Sequence, residues 1–256
     1  MADTAELFSG KQHVYDMHRP HYPDVIIDAV EKALPDNAVL ADIGSGTGFL
    51  SIPLAQAVKK VFAIEPNADL REAHRNKILE CPEARDRTEL LDTKAQSTGL
   101  LKGSVDHITL GNVAHWLDGK EEKRLSCLKE FNRIAKSDAQ LSVVSLSPSI
   151  KNNWLMAVFD LAKEYDPEFD IPRIFKTFSS YEDHAKSFID KLNGHEQANL
   201  SRTMDKTDFF DFLLSMSFCD DNMRKEIEAI FKLYSSAGYI EAKFDSSVYT
   251  GPLLNV

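Results

Sequence analysis

The sequence predicts an α/β fold, in which a parallel sheet carries helices on both of its faces. Two observations lead to this prediction. Short apolar runs, typical of buried strands, alternate with segments of helical period over the first 150 residues. A glycine-rich turn also follows the first apolar run, at residues 38–43, and turns of this kind bind nucleotide-like ligands in such sheets.

The predicted strands lie at residues 38–43, 60–64, 88–92, 105–110, 139–146, 197–203 and 239–250. The predicted helices lie at residues 24–34, 47–57, 67–79, 119–136, 205–216 and 220–236. Residues 1–24 are polar and contain Pro20 and Pro23, and because proline interrupts helices we expect irregular backbone there. Residues 151–193 combine helical period with many aromatic side chains, which indicates an inserted helical cap.

Length and composition restrict the class of protein. The chain has 256 residues and 43% hydrophobic content, enough for one large α/β domain with a small cap. The net charge is −10, and lysine and arginine form no dense cluster, which disfavours a nucleic-acid partner. No apolar run reaches the length of a membrane span.

The remaining bulk features predict a cytoplasmic protein without a metal. The first residues lack the pattern of a signal peptide. The three cysteines, Cys81, Cys127 and Cys219, are far apart and odd in number, which suits a reducing compartment and indicates neither a disulfide framework nor zinc. The histidines show no ligand spacing, and because no heptad or long apolar edge stands out we expect a monomer.

The glycine-rich turn is the most informative motif. Asp42 ends the first predicted strand, and Gly44, Gly46 and Gly48 follow at every second position. Glycines let the backbone approach a ligand and adopt unusual φ angles. The next strand ends in Glu65, about 20 residues further on, where a carboxylate can accept both ribose hydroxyls of an adenosine.

Two kinds of cofactor could use this arrangement. A dinucleotide fingerprint needs a glycine where this chain has Phe49, and its pyrophosphate lies at a helix N-terminus that favours negative charge. Asp42 suits a cationic group better. S-adenosylmethionine (SAM) has an adenosine and no phosphate, and it carries a sulfonium and an ammonium. The residues therefore favour SAM, and a nicotinamide-dependent oxidoreductase remains the alternative.

The Asp-x-Gly-x-Gly-x-Gly spacing from Asp42, with Glu65 after it, resembles motif I and the acidic loop of class I SAM-dependent methyltransferases. Further segments resemble the small-molecule methyltransferases related to trans-aconitate methyltransferase: Tyr15 with Arg19-Pro20 and Tyr22-Pro23, residues 95–100 with 104–106, and His115-Trp116. The resemblance covers about residues 8–146 and continues more loosely to the C-terminal part.

This resemblance implies a Rossmann-like, seven-stranded, mostly parallel sheet whose last strand is antiparallel. Residues 1–150 would form the SAM-binding core with an N-terminal lid segment, residues 151–196 the helical cap insertion, and residues 197–256 the completion of the sheet. The pocket that receives the SAM methyl group would be closed by the N-terminal segment and the cap.

By position, the resemblance also implies a set of cofactor-binding residues. Glu65 would bind the ribose, and Ala95 and Gln96 would contact adenine, chiefly through their backbone. Lys94 stands where such enzymes often have an acid, so we expect Asp92 or the Gln96 side chain to compensate, or the backbone alone to hold adenine. The full set is Tyr15, Arg19, Asp42, Gly44, Ser45, Gly46, Glu65, Ala95, Gln96, Asn112 and Trp116.

His115 is the candidate catalytic residue. It follows the fourth strand beside Trp116, where a loop faces the ligand crevice. A carboxylate or thiolate acceptor needs no base, whereas a hydroxyl or amine benefits from one, and we expect the pKa of His115 near neutrality. The sequence thus predicts methylation of a small molecule, with a carboxylate or hydroxyl oxygen favoured. A protein methyltransferase and a SAM-binding protein that does not methylate remain alternatives.

Overall fold

A seven-stranded sheet organises the computed structural model, which describes residues 9–256. Its strands are β1 (Val39–Ile43), β2 (Lys60–Ile64), β3 (Thr88–Leu91), β4 (Val105–Gly111), β5 (Ala135–Pro148), β6 (Gly194–Met204) and β7 (Ile240–Pro252). They are ordered β3-β2-β1-β4-β5-β7-β6. Strands β1 to β5 pair in parallel, and β7 runs antiparallel between β5 and β6. The predicted fold class, a mostly parallel Rossmann-like sheet of seven strands, is confirmed.

Helices connect the strands and extend the C-terminal half. They are α1 (Gln12–His18), α2 (Asp24–Glu31), α3 (Ser51–Leu54), α4 (Ala68–Glu80), α5 (Pro82–Arg85), α6 (Ala114–Leu117), α7 (Glu121–Ile134), α8 (Leu155–Tyr165), α9 (Ile171–Ser179), α10 (Glu182–Lys186), α11 (Lys206–Leu214) and α12 (Arg224–Tyr234). Short 3-10 helices occupy Ala55–Ala57 and Asp221–Met223. Among the residues described, no helix is long and apolar enough to cross a bilayer.

Burial along the strands follows their place in the sheet. Strand β1 lies between β2 and β4 and has helices on both faces, so Leu40, Ala41 and Ile43 are all buried. Strand β6 pairs only with β7 and leaves most of its side chains exposed or half-buried. The core divides into two clusters of buried apolar residues. In the larger one, Trp154 of the segment after β5 packs edge-on against Phe209 of α11.

Two sequence-based expectations for the N-terminal half are wrong. Residues 1–24 were expected to be irregular, but α1 forms at residues 12–18. The helix ends before Pro20, because the residue before a proline favours extended backbone, and Arg19 is extended. Residues 1–8 lie outside the described part. The helix expected at residues 47–57 begins only at Ser51, because Gly48 still has a φ of +91°, and it continues as a 3-10 turn.

Candidate active site

The glycine turn after β1 is held against the end of β2. The N–H groups of Gly44 and Ser45 donate to the carbonyl of Ile64 at 2.8 and 3.0 Å. Gly44 has a φ of +67°, and a Cβ there would lie 2.8 Å from the Val113 side chain. Gly46 has a φ of +55°, but nothing lies within 4 Å of where its Cβ would be. Gly44 therefore permits tight packing, while Gly46 leaves open space.

Glu65 connects this turn to the start of α4. Its side chain is buried, and its two carboxylate oxygens accept from the N–H of Gly46 at 2.9 Å and of Asn67 at 2.8 Å. Burial raises the pKa of Glu65, and the two N–H donors oppose that rise. Each carboxylate oxygen has a second lone pair, so the carboxylate can still accept hydrogen bonds from a ligand.

Asp42 lies beneath the turn. It is 1% exposed and accepts hydrogen bonds from Ser51 Oγ and from Thr109 Oγ1, the latter at 2.8 Å. Burial raises the pKa of its carboxyl group, against these hydrogen bonds. Asp42 lines a small cavity together with Gly44, Ser45 and Gly46, so the structure places it as a support of the turn.

A first cavity opens at the carboxyl ends of β1, β2 and β4. It encloses about 990 Å³ of space, counting its open side. Eight of the predicted cofactor residues line it: Tyr15, Gly44, Gly46, Glu65, Ala95, Gln96, Asn112 and Trp116. Arg19, Asp42 and Ser45 do not line this cavity.

The loop that carries Ala95 and Gln96 is anchored from α7. Glu130 accepts from the N–H and the hydroxyl of Thr98 at 2.7 and 2.6 Å. A second contact, from Arg133 to Glu130 at 2.7 Å, holds the carboxylate in place. The role of Glu130 in holding this loop was not predicted. In the sequence it could be suspected only from an acidic residue that falls on the buried face of α7.

Asp92 does not compensate for Lys94, contrary to one expectation. Its side chain is 70% exposed and pairs with Arg71 at 2.9 Å, and it is not among the residues that line the first cavity. Lys94 and Gln96 do line it. The remaining expectations, an adenine held by Gln96 or by backbone alone, both stay open.

Asn112 has a structural role that the sequence did not reveal. Its φ is +50°, and its side-chain amide pairs with the backbone of Leu146 on β5. Nδ2 donates to the Leu146 carbonyl at 3.0 Å, and Oδ1 accepts from the Leu146 N–H at 2.8 Å. The amide thus extends the pairing of β4 and β5 and is already engaged, although Asn112 lines the first cavity.

A second cavity adjoins the first, with Tyr15, Asn112 and Trp116 lining both. Its lining combines aromatic side chains from residues 15–22, from residues 178–181 after β5, and from β7. The charged and titratable side chains among the described lining residues are Arg19, His115, Arg173 and the tyrosines, and no aspartate or glutamate is among them. The aromatic residues are Tyr15, Tyr22, Phe49, His115, Trp116, Phe178, Tyr181, Phe212, Phe218 and Phe244.

The N-terminal helix covers the junction of the two cavities. The Arg19 guanidinium lies 4.7 Å from the centre of the Tyr15 ring and donates to the hydroxyl and carbonyl of Ser215 at 3.2 and 3.1 Å. At the other end of α1, Lys11 Nζ donates to the carbonyls of Met216 and Cys219 at 2.9 and 2.7 Å. These contacts fasten α1 to the segment that follows α11.

His115 differs from its predicted state. Burial lowers its pKa to about 3, with further lowering by His184, Arg173 and Arg19. The prediction of a pKa near neutrality is therefore wrong. Its Nδ1 lies 2.8 Å from the hydroxyl of Tyr181. Within residues 9–256, no group of three or more His, Cys, Asp or Glu side chains could hold a metal ion.

Comparison with known proteins gives one sequence family and one relative that this chain resembles. Residues 41–143 match the sequence family described as "Methyltransferase domain". A protein of Dictyostelium discoideum described as a candidate methyltransferase is 33% identical over 123 residues. That match covers 46% of this chain and 44% of the relative, so the chain matches less than half of the relative's length.

Solved structures share the fold over nearly the whole chain. A candidate type II methyltransferase from Anaeromyxobacter dehalogenans superposes with a TM-score of 0.66 at 18% identity, covering 93% of this chain and 99% of the other. The YcgJ protein of Bacillus subtilis gives 0.55 at 14% identity, covering 91% and 100%. Residues 41–143 thus match a methyltransferase domain, and the chain has a class I methyltransferase fold, which agrees with SAM as the predicted cofactor.

Proposed function

We propose that this chain is a SAM-dependent methyltransferase that transfers the methyl group to an oxygen of a small molecule. One observation supports this most strongly. Glu65 and the open Gly46 lie in one cavity, which adjoins a second cavity through Tyr15 and Trp116. The two compartments suit a nucleoside cofactor and an acceptor held side by side.

The residues present fit SAM. A ribose needs a carboxylate that faces the cavity, and Glu65 supplies it beside the Gly46 N–H. A Cβ at Gly46 would project into space that no protein atom occupies within 4 Å. Ala95 and Gln96 line the same cavity as Glu65 and are the candidate contacts of adenine. Arg19, stacked on the shared Tyr15, is the candidate partner of the cofactor carboxylate.

When bound, SAM supplies an electrophilic methyl group on a sulfonium. The contribution of the chain is to hold the acceptor oxygen in line with that group and to keep water away, an effect that can supply about 7–11 kcal/mol. Trp116 and Tyr15 form the wall between the cavities. In this proposal α1 is a lid, since it lies over the place where the two ligands would meet.

The first experiment is calorimetric titration with SAM and with S-adenosylhomocysteine, comparing the wild type with Glu65→Gln and Glu89→Gln. Glu89 is an exposed glutamate on β3 that pairs with Lys60 and lines neither cavity. We expect Glu65→Gln to weaken both ligands about 100-fold, since hydrogen bonds to a charged group contribute about 1.5–3 kcal/mol each. Glu89→Gln should bind like the wild type.

Absence of binding of either ligand to the folded wild type would refute the proposal, and equal binding by all three proteins would refute the role of Glu65.

A titration with nicotinamide dinucleotides tests the oxidoreductase alternative. A protein acceptor is tested with labelled SAM in lysate, where labelled protein would contradict the small-molecule assignment. Tight SAM binding without S-adenosylhomocysteine release over an acceptor panel would indicate a SAM-binding protein that does not methylate.

A further inference from the structure

The hydroxyl of Tyr181 makes a set of contacts that fixes where its proton points. Tyr181 is buried, and burial, the largest cause, raises the pKa of its hydroxyl, so the phenol keeps its proton. The backbone N–H groups of His115 and Ala114 lower the pKa of that hydroxyl, as donors to its oxygen do. With its lone pairs facing backbone donors, the hydroxyl has one acceptor left, His115 Nδ1 at 2.8 Å.

This arrangement selects one tautomer of His115. A neutral imidazole has one N–H and one acceptor nitrogen. Because Nδ1 accepts from Tyr181, the proton of the ring belongs on Nε2. Within residues 9–256, the His115 ring makes its side-chain hydrogen bond through Nδ1 and none through Nε2, and His115 lines the second cavity. The free N–H of the ring is thus available to a ligand there.

The charges around the ring favour an anionic ligand. Arg173 of α9 lines the same cavity and forms no ion pair or side-chain hydrogen bond with the described residues. Arg19, after α1, lines it from the opposite element. No carboxylate is among the described lining residues, so the charged side chains that a negatively charged ligand group meets there are Arg19 and Arg173.

One further titratable pair lies behind the ring. The ring centre of His184, on α10, is 6.0 Å from that of His115. Its Nδ1 is 2.7 Å from Asp118 Oδ2, and its Nε2 is 3.3 Å from Thr177 Oγ1. His184 thus has partners on both nitrogens, and Asp118 is engaged with it rather than with His115.

We propose that Tyr181 is a positioning residue that fixes His115 as a hydrogen-bond donor through Nε2–H, and that His115 and Arg173 together bind a carboxylate of the acceptor. This rests on the proposed function and replaces the role of His115 as a base. A carboxylate oxygen forms its bond to the methyl carbon as the carbon–sulfur bond breaks, and the bonding electron pair stays on sulfur. No proton is released, so no base is needed.

The tautomer is tested by nitrogen-15 NMR of the histidine rings between pH 5 and pH 8, which requires no acceptor. We expect His115 to show the neutral Nε2–H form throughout. In Tyr181→Phe we expect the Nδ1–H form to appear, whereas Tyr239→Phe, at a residue that is 54% exposed, should leave the spectrum unchanged. A protonation midpoint of His115 between pH 5 and 8, or an Nδ1–H form in the wild type, would overturn the proposal.

The donor role is tested by turnover with carboxylic acids and matched alcohols, beginning with phenylacetate and 2-phenylethanol. His115→Gln keeps an N–H donor near the position of Nε2 but cannot take up a proton, whereas His115→Ala has neither. We expect Gln to keep at least a tenth of wild-type kcat/KM for the acid, Ala to lose 10- to 100-fold, and the wild-type pH profile to be flat from pH 5 to 8.

Equal loss in both variants, or turnover of the alcohol with a profile that falls below neutral pH, would identify His115 as a base and contradict the proposal. Failure of the proposed function gives a different result. In that case SAM does not bind, whatever tautomer His115 shows. Because neither variant touches the first cavity, SAM affinity should be the same in wild type, His115→Gln and His115→Ala.

Discussion

Replacing Gly48 by alanine should destabilise the protein through a steric contact rather than through backbone conformation alone. Gly48 has a φ of +91°, and an added Cβ would lie 2.5 Å from two ring atoms of His74 and 2.8 Å from Ile52 Cδ1. His74 is fully buried, so its ring has no open space to move into. Gly238 has a similar φ of +82° but no atom within 4 Å, which makes Gly238→Ala a matched control.

The magnitude follows from separating these two effects. A non-glycine residue in this region of φ costs about 1–3 kcal/mol, and both variants carry this cost. Overpacking of a filled core adds about 1–3 kcal/mol, and only Gly48→Ala carries it. We therefore expect Gly48→Ala to lose about 2–6 kcal/mol of unfolding free energy, and Gly238→Ala about 1–3 kcal/mol.

Urea denaturation followed by circular dichroism measures the difference. With a slope of about 2 kcal/mol per molar urea, an excess loss of 1–3 kcal/mol lowers the midpoint of Gly48→Ala by about 0.5–1.5 M relative to Gly238→Ala. The slopes should agree, since neither change alters the surface exposed on unfolding. Midpoints that coincide would refute the reasoning, because they would show that the turn and His74 can separate at little cost.

Three other predictions follow from the described contacts. Burial lowers the pKa of His74 to about 3, so below about pH 6.5 the unfolded chain binds more protons than the folded one. The free energy of unfolding should therefore fall from pH 7 to pH 5, as measured by urea midpoints, and it should fall less in His74→Gln. Asn112→Ala removes both bonds to Leu146 and should cost about 2–3 kcal/mol in the same assay. Glu130 does not line the first cavity, but Glu130→Ala removes the hydrogen bonds that hold the loop at Thr98. This variant should bind SAM about 5- to 10-fold more weakly, as measured by calorimetry.

Strands and the glycine turn could be predicted from the sequence because local patterns specify them. Strand β2 has the predicted bounds, residues 60–64, and β1 differs by one residue. A buried strand shows as a short apolar run, and a turn with positive φ angles shows as glycines, so a short stretch of sequence is enough to predict both. The first cavity was predictable for the same reason, since its residues follow consecutive strand ends.

A pocket between the N-terminal segment and residues 151–196 was expected, but the contacts inside the second cavity could not be predicted because they join distant segments. His115 and Tyr181 are 66 residues apart, and neither residue by itself indicates the other. The pKa of His115 depends on its burial and on His184 and Arg173, which the periodicity of the sequence does not reveal. Helix α1 was not predicted, because Pro20 and Pro23 were interpreted as excluding a helix. They follow α1 and mark its end instead.

The insertion of β7 between β5 and β6 has a consequence for synthesis on the ribosome. Within residues 9–256, strand β6 pairs with no strand other than β7, so this pairing must wait until residues 240–252 have been made. Strands β1 to β4, which carry the glycine turn and Glu65, are complete by residue 111. The second cavity needs Phe244 of β7. A growing chain can thus form strands β1 to β4 around the first cavity before the second cavity acquires its full lining.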